Sequence, residues 1–166
     1  MDGSTIVAEG STQAAKRQAE AAERALALAQ EQWDDEKRDR EALGLAQARM
    51  MLVEIDSYGA LRITITNCGS HPVLRVELDN IVVVEAPTLP WRFNTRTIGA
   101  DRVRSVVEAG DKAEFWVEFE NPDRSLNRNP GESYEIMFSY TDWLGQRWQG
   151  DGSGDPERVS ESAGSD

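Results

Sequence analysis

The chain has 166 residues, 39% of them hydrophobic, and a net charge of −12. The negative charge is spread over the whole length: −2 in residues 1–11, −1 in 12–49, −5 in 50–149 and −4 in 150–166. No region carries the basic excess that neutralises phosphates, so nucleic acids and anionic membrane surfaces are not expected partners. A single cysteine, Cys68, excludes an intrachain disulfide. Aliphatic runs are short, the longest being Met50–Val53 and Ile81–Val84, so direct membrane insertion is not expected. The first ten residues lack the basic and apolar regions of a signal peptide. Together with the lone cysteine, these features point to the cytoplasm.

Residues 1–11 are small and polar and read as disordered. A helix is expected from about residue 12, with Ser11 or Thr12 as N-cap, to about residue 49. That stretch has no proline and is dominated by Ala, Glu, Gln, Arg and Lys. A seam of 3-4 spacing runs through Ala15, Ala19, Ala22, Leu26, Ala29 and Trp33. It then passes into the charged run Asp34-Asp-Glu-Lys-Arg-Asp-Arg-Glu41, where Asp34–Arg38 and Glu36–Arg40 have the spacing of i,i+4 ion pairs. The helix reads as a solvated stalk or a weak coiled coil, with Leu26 and Trp33 the side chains large enough to drive association.

Past Arg49 the hydrophobic period changes from helical to two. Strands are expected at Met51–Asp56, Leu61–Thr66 and Leu74–Leu78, with Ile81–Val84 either continuing the last of these or following it as another strand. Further ones are expected at Val103–Val107, Ala113–Phe119, Tyr134–Tyr140 and Gln146–Gln149. Ala86–Ala100 and Asn121–Gly131 contain prolines and read as long loops. The fold class is therefore mainly β, a single antiparallel sandwich of about seven strands over 50–149, preceded by the helix. Residues 150–166, rich in Gly, Ser and acid, read as a disordered tail.

The segment Leu61-x-Ile63-x-Ile65-x-Asn67-x-Gly69-x-x-Pro72-Val73-x-x-Val76 resembles the early hairpin of bacterial immunoglobulin-like domains. Glu108-Ala-Gly-Asp111 followed by Phe115, and Tyr140-x-Asp142-x-x-Gly145-x-Arg147-Trp148, continue that likeness. With its upstream charged helix, the chain resembles uncharacterised bacterial proteins common in high-GC genomes. A membrane span often precedes the helix in those proteins, and this sequence shows none. The resemblance implies an immunoglobulin-like sandwich and assigns no activity.

The sequence offers little for catalysis. His71 is the only histidine and shares one short turn with Cys68, with no third group to orient a Cys–His pair. One Cys and one His fall short of a zinc site. Asp151, Ser153 and Asp155 alternate like the start of a calcium loop. However, Pro156 stands where the required glycine would be, and Ser162 where the closing glutamate would be. No enzyme activity, metal or cofactor is expected. The cluster Leu89-Pro-Trp-Arg-Phe-Asn-Thr-Arg96 is the candidate interaction site, through Trp91, Arg92, Phe93 and Arg96, because Trp, Phe and Arg recur as interface hot spots. The competing reading is that Trp91 or Phe93 caps an open end of the core. Trp116, on the nominally outer face of its strand, could be covered by part of the helix. The expected function is a non-enzymatic interaction module with an unidentified protein partner, its helix acting as spacer or weak homo-oligomerisation element. A structural or accessory component of a phage or cell-surface assembly is the second expectation, and an enzyme the third.

Overall fold

The computed structural model describes residues 3–57, 60–94 and 102–159. It is mainly β, with two antiparallel sheets and one long N-terminal helix, α1, at Gly3–Ala48. The helix begins well ahead of the expected residue 12. Once a helix is nucleated each further residue costs little, and neither proline nor a strong turn sequence stops it before Gly3. The chain forms two compact units, residues 1–42 and 43–166. Among the described residues no helix is long and apolar enough to cross a membrane.

In the second unit, the last turn of α1 joins the β-structure, and Gln47 and Ala48 are buried. The first sheet contains β1 (Met51–Ser57), β2 (Leu61–Asn67), β4 (Trp91–Phe93), β6 (Lys112–Glu120) and β7 (Leu126–Asn127). Its order is β1-β2-β6-β4, with β7 also pairing β6. The second sheet contains β3 (Val73–Val83), β5 (Val103–Val107), β8 (Tyr134–Thr141), β9 (Arg147–Gly150) and β10 (Glu157–Arg158), in the order β10-β9-β8-β3-β5. The period-two pattern does what it predicts in β6. Ala113, Phe115, Val117 and Phe119 are buried, while Glu114, Trp116 and Glu118 stay partly exposed. These inward residues meet Ile63 and Ile65 of β2 and, from the second sheet, Val73, Val76, Phe138, Tyr140 and Trp148 in one hydrophobic core.

Several expected boundaries move. Of the two readings of 81–84 the continuing one holds: 74–78 and 81–84 belong to a single strand, β3, whose register against β8 shifts twice. Arg75 lies at the first shift with φ 49°, in the left-handed region. A bulge turns the following side chains over, and Leu74 is accordingly 40% exposed while Val76 is fully buried. Both expected long loops contain a strand, β4 and β7, so ten strands are present among the described residues.

Within the tail expected to be disordered, the described residues 150–159 are tied to the β-structure; residues 160–166 lie outside the described residues. Asp151 Oδ1 accepts hydrogen bonds from the backbone N–H groups of Ser153 (2.9 Å) and Gly154 (3.0 Å), and these bonds hold its carboxyl below the usual carboxylate range. Pro156 is buried, β10 pairs with β9, and Arg49 makes a bidentate pair with Asp155 at 2.9 and 3.0 Å. Composition alone could not reveal these contacts, since Arg49 lies 106 positions from Asp155 and the β9–β10 pairing leaves no periodicity in two residues.

Tyr140 is fully buried and its hydroxyl has no hydrogen-bond partner among the described residues. Burial, and then the nearby Asp142 charge, push its ionisation well above the usual tyrosine range. A buried hydroxyl with no partner carries an uncompensated desolvation cost of about 1–3 kcal/mol. Tyr140→Phe, which keeps the ring and its stacking on Phe138 at 6.0 Å, is therefore expected to leave stability unchanged or raise it by about 1 kcal/mol. Thermal unfolding of the two proteins checks this, and a loss above about 1 kcal/mol would show that the hydroxyl has a partner.

Candidate functional site

The Trp91-Arg92-Phe93 cluster lies on β4, an edge strand, in register with Phe119, Glu118 and Val117 of β6. The strand geometry alternates these side chains. Trp91 and Phe93 pack against the core with their rings edge to face at 5.3 Å. Trp91 Nε1 donates to Asn80 Oδ1 at 3.1 Å, and the Arg102 guanidinium sits over the Phe93 ring at 5.6 Å. Arg92 points the other way and is ion-paired with Glu118 (3.3 Å) and Glu120 (2.5 Å). Three of the four expected contact residues therefore share one strand. The two aromatic rings close the edge of the core, as the competing reading of that cluster has it, while each keeps partial exposure. Arg96 lies outside the described residues.

The outer face of the first sheet is charge-paired. Arg62 bonds to Asp56 at 2.5 Å and covers the Trp116 ring at 5.7 Å. Lys112 pairs with Glu114 at 3.0 Å. It is Arg62 that the structure places over Trp116, in a cation–π contact. On the second sheet a polar ladder crosses three strands. Arg147 of β9 donates to Glu77 Oε2 (2.8 Å) and Ser139 Oγ (2.7 Å), and Ser139 donates to Asp79 (3.0 Å). Burial raises the Glu77 carboxyl, but Arg75 and Arg147 outweigh it and hold the group below its ordinary value. Both faces read as solvated surface.

The Cys68–His71 turn sits at the end of the β-structure where α1 enters. Cys68 is exposed. The His71 ring stacks on Trp143 at 4.5 Å and 14°, with Ser70 Oγ 3.0 Å from its Nδ1. Beneath the turn, Asn67 is fully buried and Gln47 reaches it from α1 at 3.2 Å. A Cβ on Gly69 would collide with the Gln47 amide, so any other residue here would push that side chain off Asn67. Among the described residues no group of three or more His, Cys, Asp or Glu side chains could hold a metal ion. A shallow cleft of about 270 Å³, open solvent included, lies between Leu61, Phe119, Leu126 and Tyr134. That is below the size range of ligand pockets.

The first unit carries the other expected contact residues. Every residue of α1 from Gln13 to Leu43 is exposed, with Leu26 at 72% and Trp33 at 61%. Glu36–Arg40 pairs as its spacing implies, at 3.6 Å. Arg38 instead turns one residue closer, to Asp35, and its Nε reaches the Asp34 carbonyl at 3.4 Å. Gln30 then takes the Asp34 carboxylate at 3.3 Å. Asp34, Asp35, Glu36, Arg38 and Arg40 of the charged run thus find partners within the helix.

Comparison with family models, with curated proteins and with solved structures returned no match to this chain.

Proposed function

We propose that the chain is a non-enzymatic protein-interaction module, in which an immunoglobulin-like sandwich contacts a protein partner and α1 spaces or oligomerises it. The strand order supports the immunoglobulin-like reading. The order β1-β2-β6-β4 parallels the A-B-E-D sheet of such domains, and β9-β8-β3 parallels G-F-C. One departure is that β4 precedes β5 along the chain, so the edge strands of the two sheets are visited in the opposite order. Another is the absence of a cysteine pair, since Cys68 stands alone. The likeness to bacterial proteins with a charged helix ahead of such a domain rests on the same residues.

The observation that carries the interaction reading is exposed apolar surface on a helix that needs none for its own folding. Leu26, Leu28 and Trp33 are each at least 60% exposed. The partly exposed Trp91 and Phe93 on an edge strand add a second surface suited to a protein partner. Affinity capture from the native host, with the intact chain as bait, tests the reading. Trp91→Ala and the surface change Arg92→Gln, which removes the charge without setting a third carboxylate beside Glu118 and Glu120, serve as companion baits. A protein retained by the intact chain and lost with Arg92→Gln at nearly unchanged melting temperature is the expected result. Capture of no protein above background would sink the reading, and capture indifferent to both changes would remove β4 from it.

A further inference from the structure

We propose that α1 pairs antiparallel with α1 of a second copy of this chain, with the two-fold axis level with residue 24. The proposal rests on the reading of α1 as an oligomerisation element and adds its geometry.

The seam Ala15, Ala19, Ala22, Leu26, Ala29, Trp33 advances by four, three, four, three and four residues, a spacing that reads the same in both directions. Turning one copy end for end therefore superimposes seam on seam. Trp33 then meets Ala15 of the other copy, Ala29 meets Ala19, and Leu26 meets Ala22. Each large side chain faces an alanine, and a large residue against a small one is how facing helices interlock without voids. Over Ala15–Trp33, at 1.5 Å per residue, the contact is about 27 Å long. All these positions are exposed in the single chain.

A parallel, in-register pair loses this fit. It stacks Trp33 on Trp33 and leaves alanine on alanine at four of the six levels. Charge favours the antiparallel arrangement as well. In residues 13–23, Lys16 and Arg17 balance Glu20 and Glu23, whereas Glu31, Asp34 and Asp35 leave residues 25–35 with a charge of −3. The antiparallel pair sets the neutral half against the acidic half, with Asp34 level with Ala14 and Asp35 level with Gln13. The parallel pair sets the acidic half against itself, and like charges at close quarters oppose association. One repulsion remains in the antiparallel pair. Glu23 flanks the seam beside the axis and meets its own copy there, whereas in a parallel pair it would face Gln18.

Disulfide trapping in the full-length chain tests the orientation. In a Cys68→Ser background, chains carrying Ala19→Cys and differently tagged chains carrying Ala29→Cys are mixed and mildly oxidised. The expected product is the 19–29 heterodimer, with little 19–19 or 29–29. Sedimentation equilibrium of the unmodified chain should show association at micromolar concentrations or above. Leu26→Glu, which removes a leucine from both halves of the contact, should weaken it roughly a hundredfold. Glu23→Gln should tighten it, a change the parallel pair would not show. Dominant 19–19 and 29–29 products overturn the antiparallel geometry while leaving α1 as an oligomerisation element. A strict monomer at every concentration, with no disulfide in any mixture, overturns both.

Discussion

Asn67→Ala should destabilise the β-structure by about 3–5 kcal/mol, the range in which a buried polar network loses its centre. Asn67 is fully buried at the end of β2. Its Nδ2 donates to the carbonyls of His71 (2.8 Å), Val107 (3.1 Å) and Glu108 (3.3 Å). Its Oδ1 accepts from the Gly69 N–H at 3.0 Å and from Gln47 Nε2 at 3.2 Å. The side chain therefore closes its own turn, ties in the end of β5 on the other sheet, and receives the last turn of α1. Truncation leaves these groups without their partner in a space that water enters poorly. Asn67→Asp should be nearly as damaging, because it places a carboxylate against three carbonyl oxygens. Urea unfolding of the full chain reads the effect as a fall in midpoint at constant slope. A loss under about 1 kcal/mol would show that the turn is held by its backbone bonds alone.

That residue also marks the limit of what the sequence discloses. Asn67 belongs to the motif that resembles an immunoglobulin-like hairpin, yet in the run Asn67-Cys-Gly-Ser-His-Pro72 it reads as an ordinary turn residue. Its burial depends on Val107 and Gln47, 40 and 20 positions away. The long strands were legible because β2 and β6 alternate apolar side chains on the core face with polar or partly exposed ones on the other, which leaves period two in the sequence. The short strands β4, β7 and β10 were not, since two or three residues cannot establish a period and their neighbours are proline- and glycine-rich. Residues 150–159 of the tail were misread for a related reason. A segment poor in apolar residues is held by a bidentate bond to Arg49, 106 positions earlier, and by backbone pairing to β9. At the candidate site the cluster of Trp, Arg and Phe was visible. The division of labour within it was set by Asn80, Glu118 and Glu120, which no local pattern connects to β4. On α1 the pattern was fully local, and the seam and its exposure agree.

Asp142→Ala should cost about 3–4 kcal/mol, for reasons that combine a turn with a buried ring. Asp142 is fully buried at the head of the β8–β9 hairpin. Its Oδ1 accepts from the Leu144 N–H (2.9 Å) and the Gln146 N–H (2.8 Å), fixing the turn. Its Oδ2 accepts from Trp148 Nε1 at 2.8 Å, and Trp148 is only 5% exposed. Alanine would strand an indole N–H in the core and two backbone donors in the turn. The same carboxylate and ring form the wall against which Gly44 of α1 packs, since a Cβ at position 44 would lie 3.1 Å from both Asp142 Oδ2 and Trp148 Cζ2. Asp142→Asn should be intermediate, because it keeps an oxygen for the turn but points an N–H₂ at the indole N–H if that oxygen stays in place. Trp148→Phe removes the indole donor, so Asp142→Ala in that background should cost less by about 1–3 kcal/mol, the coupling expected of residues in direct contact. The four proteins of this cycle, unfolded in urea with near-ultraviolet circular dichroism as the probe, measure that coupling. Additive losses would mean that Trp148 finds another acceptor when the carboxylate is gone, and that Asp142 acts on the turn alone.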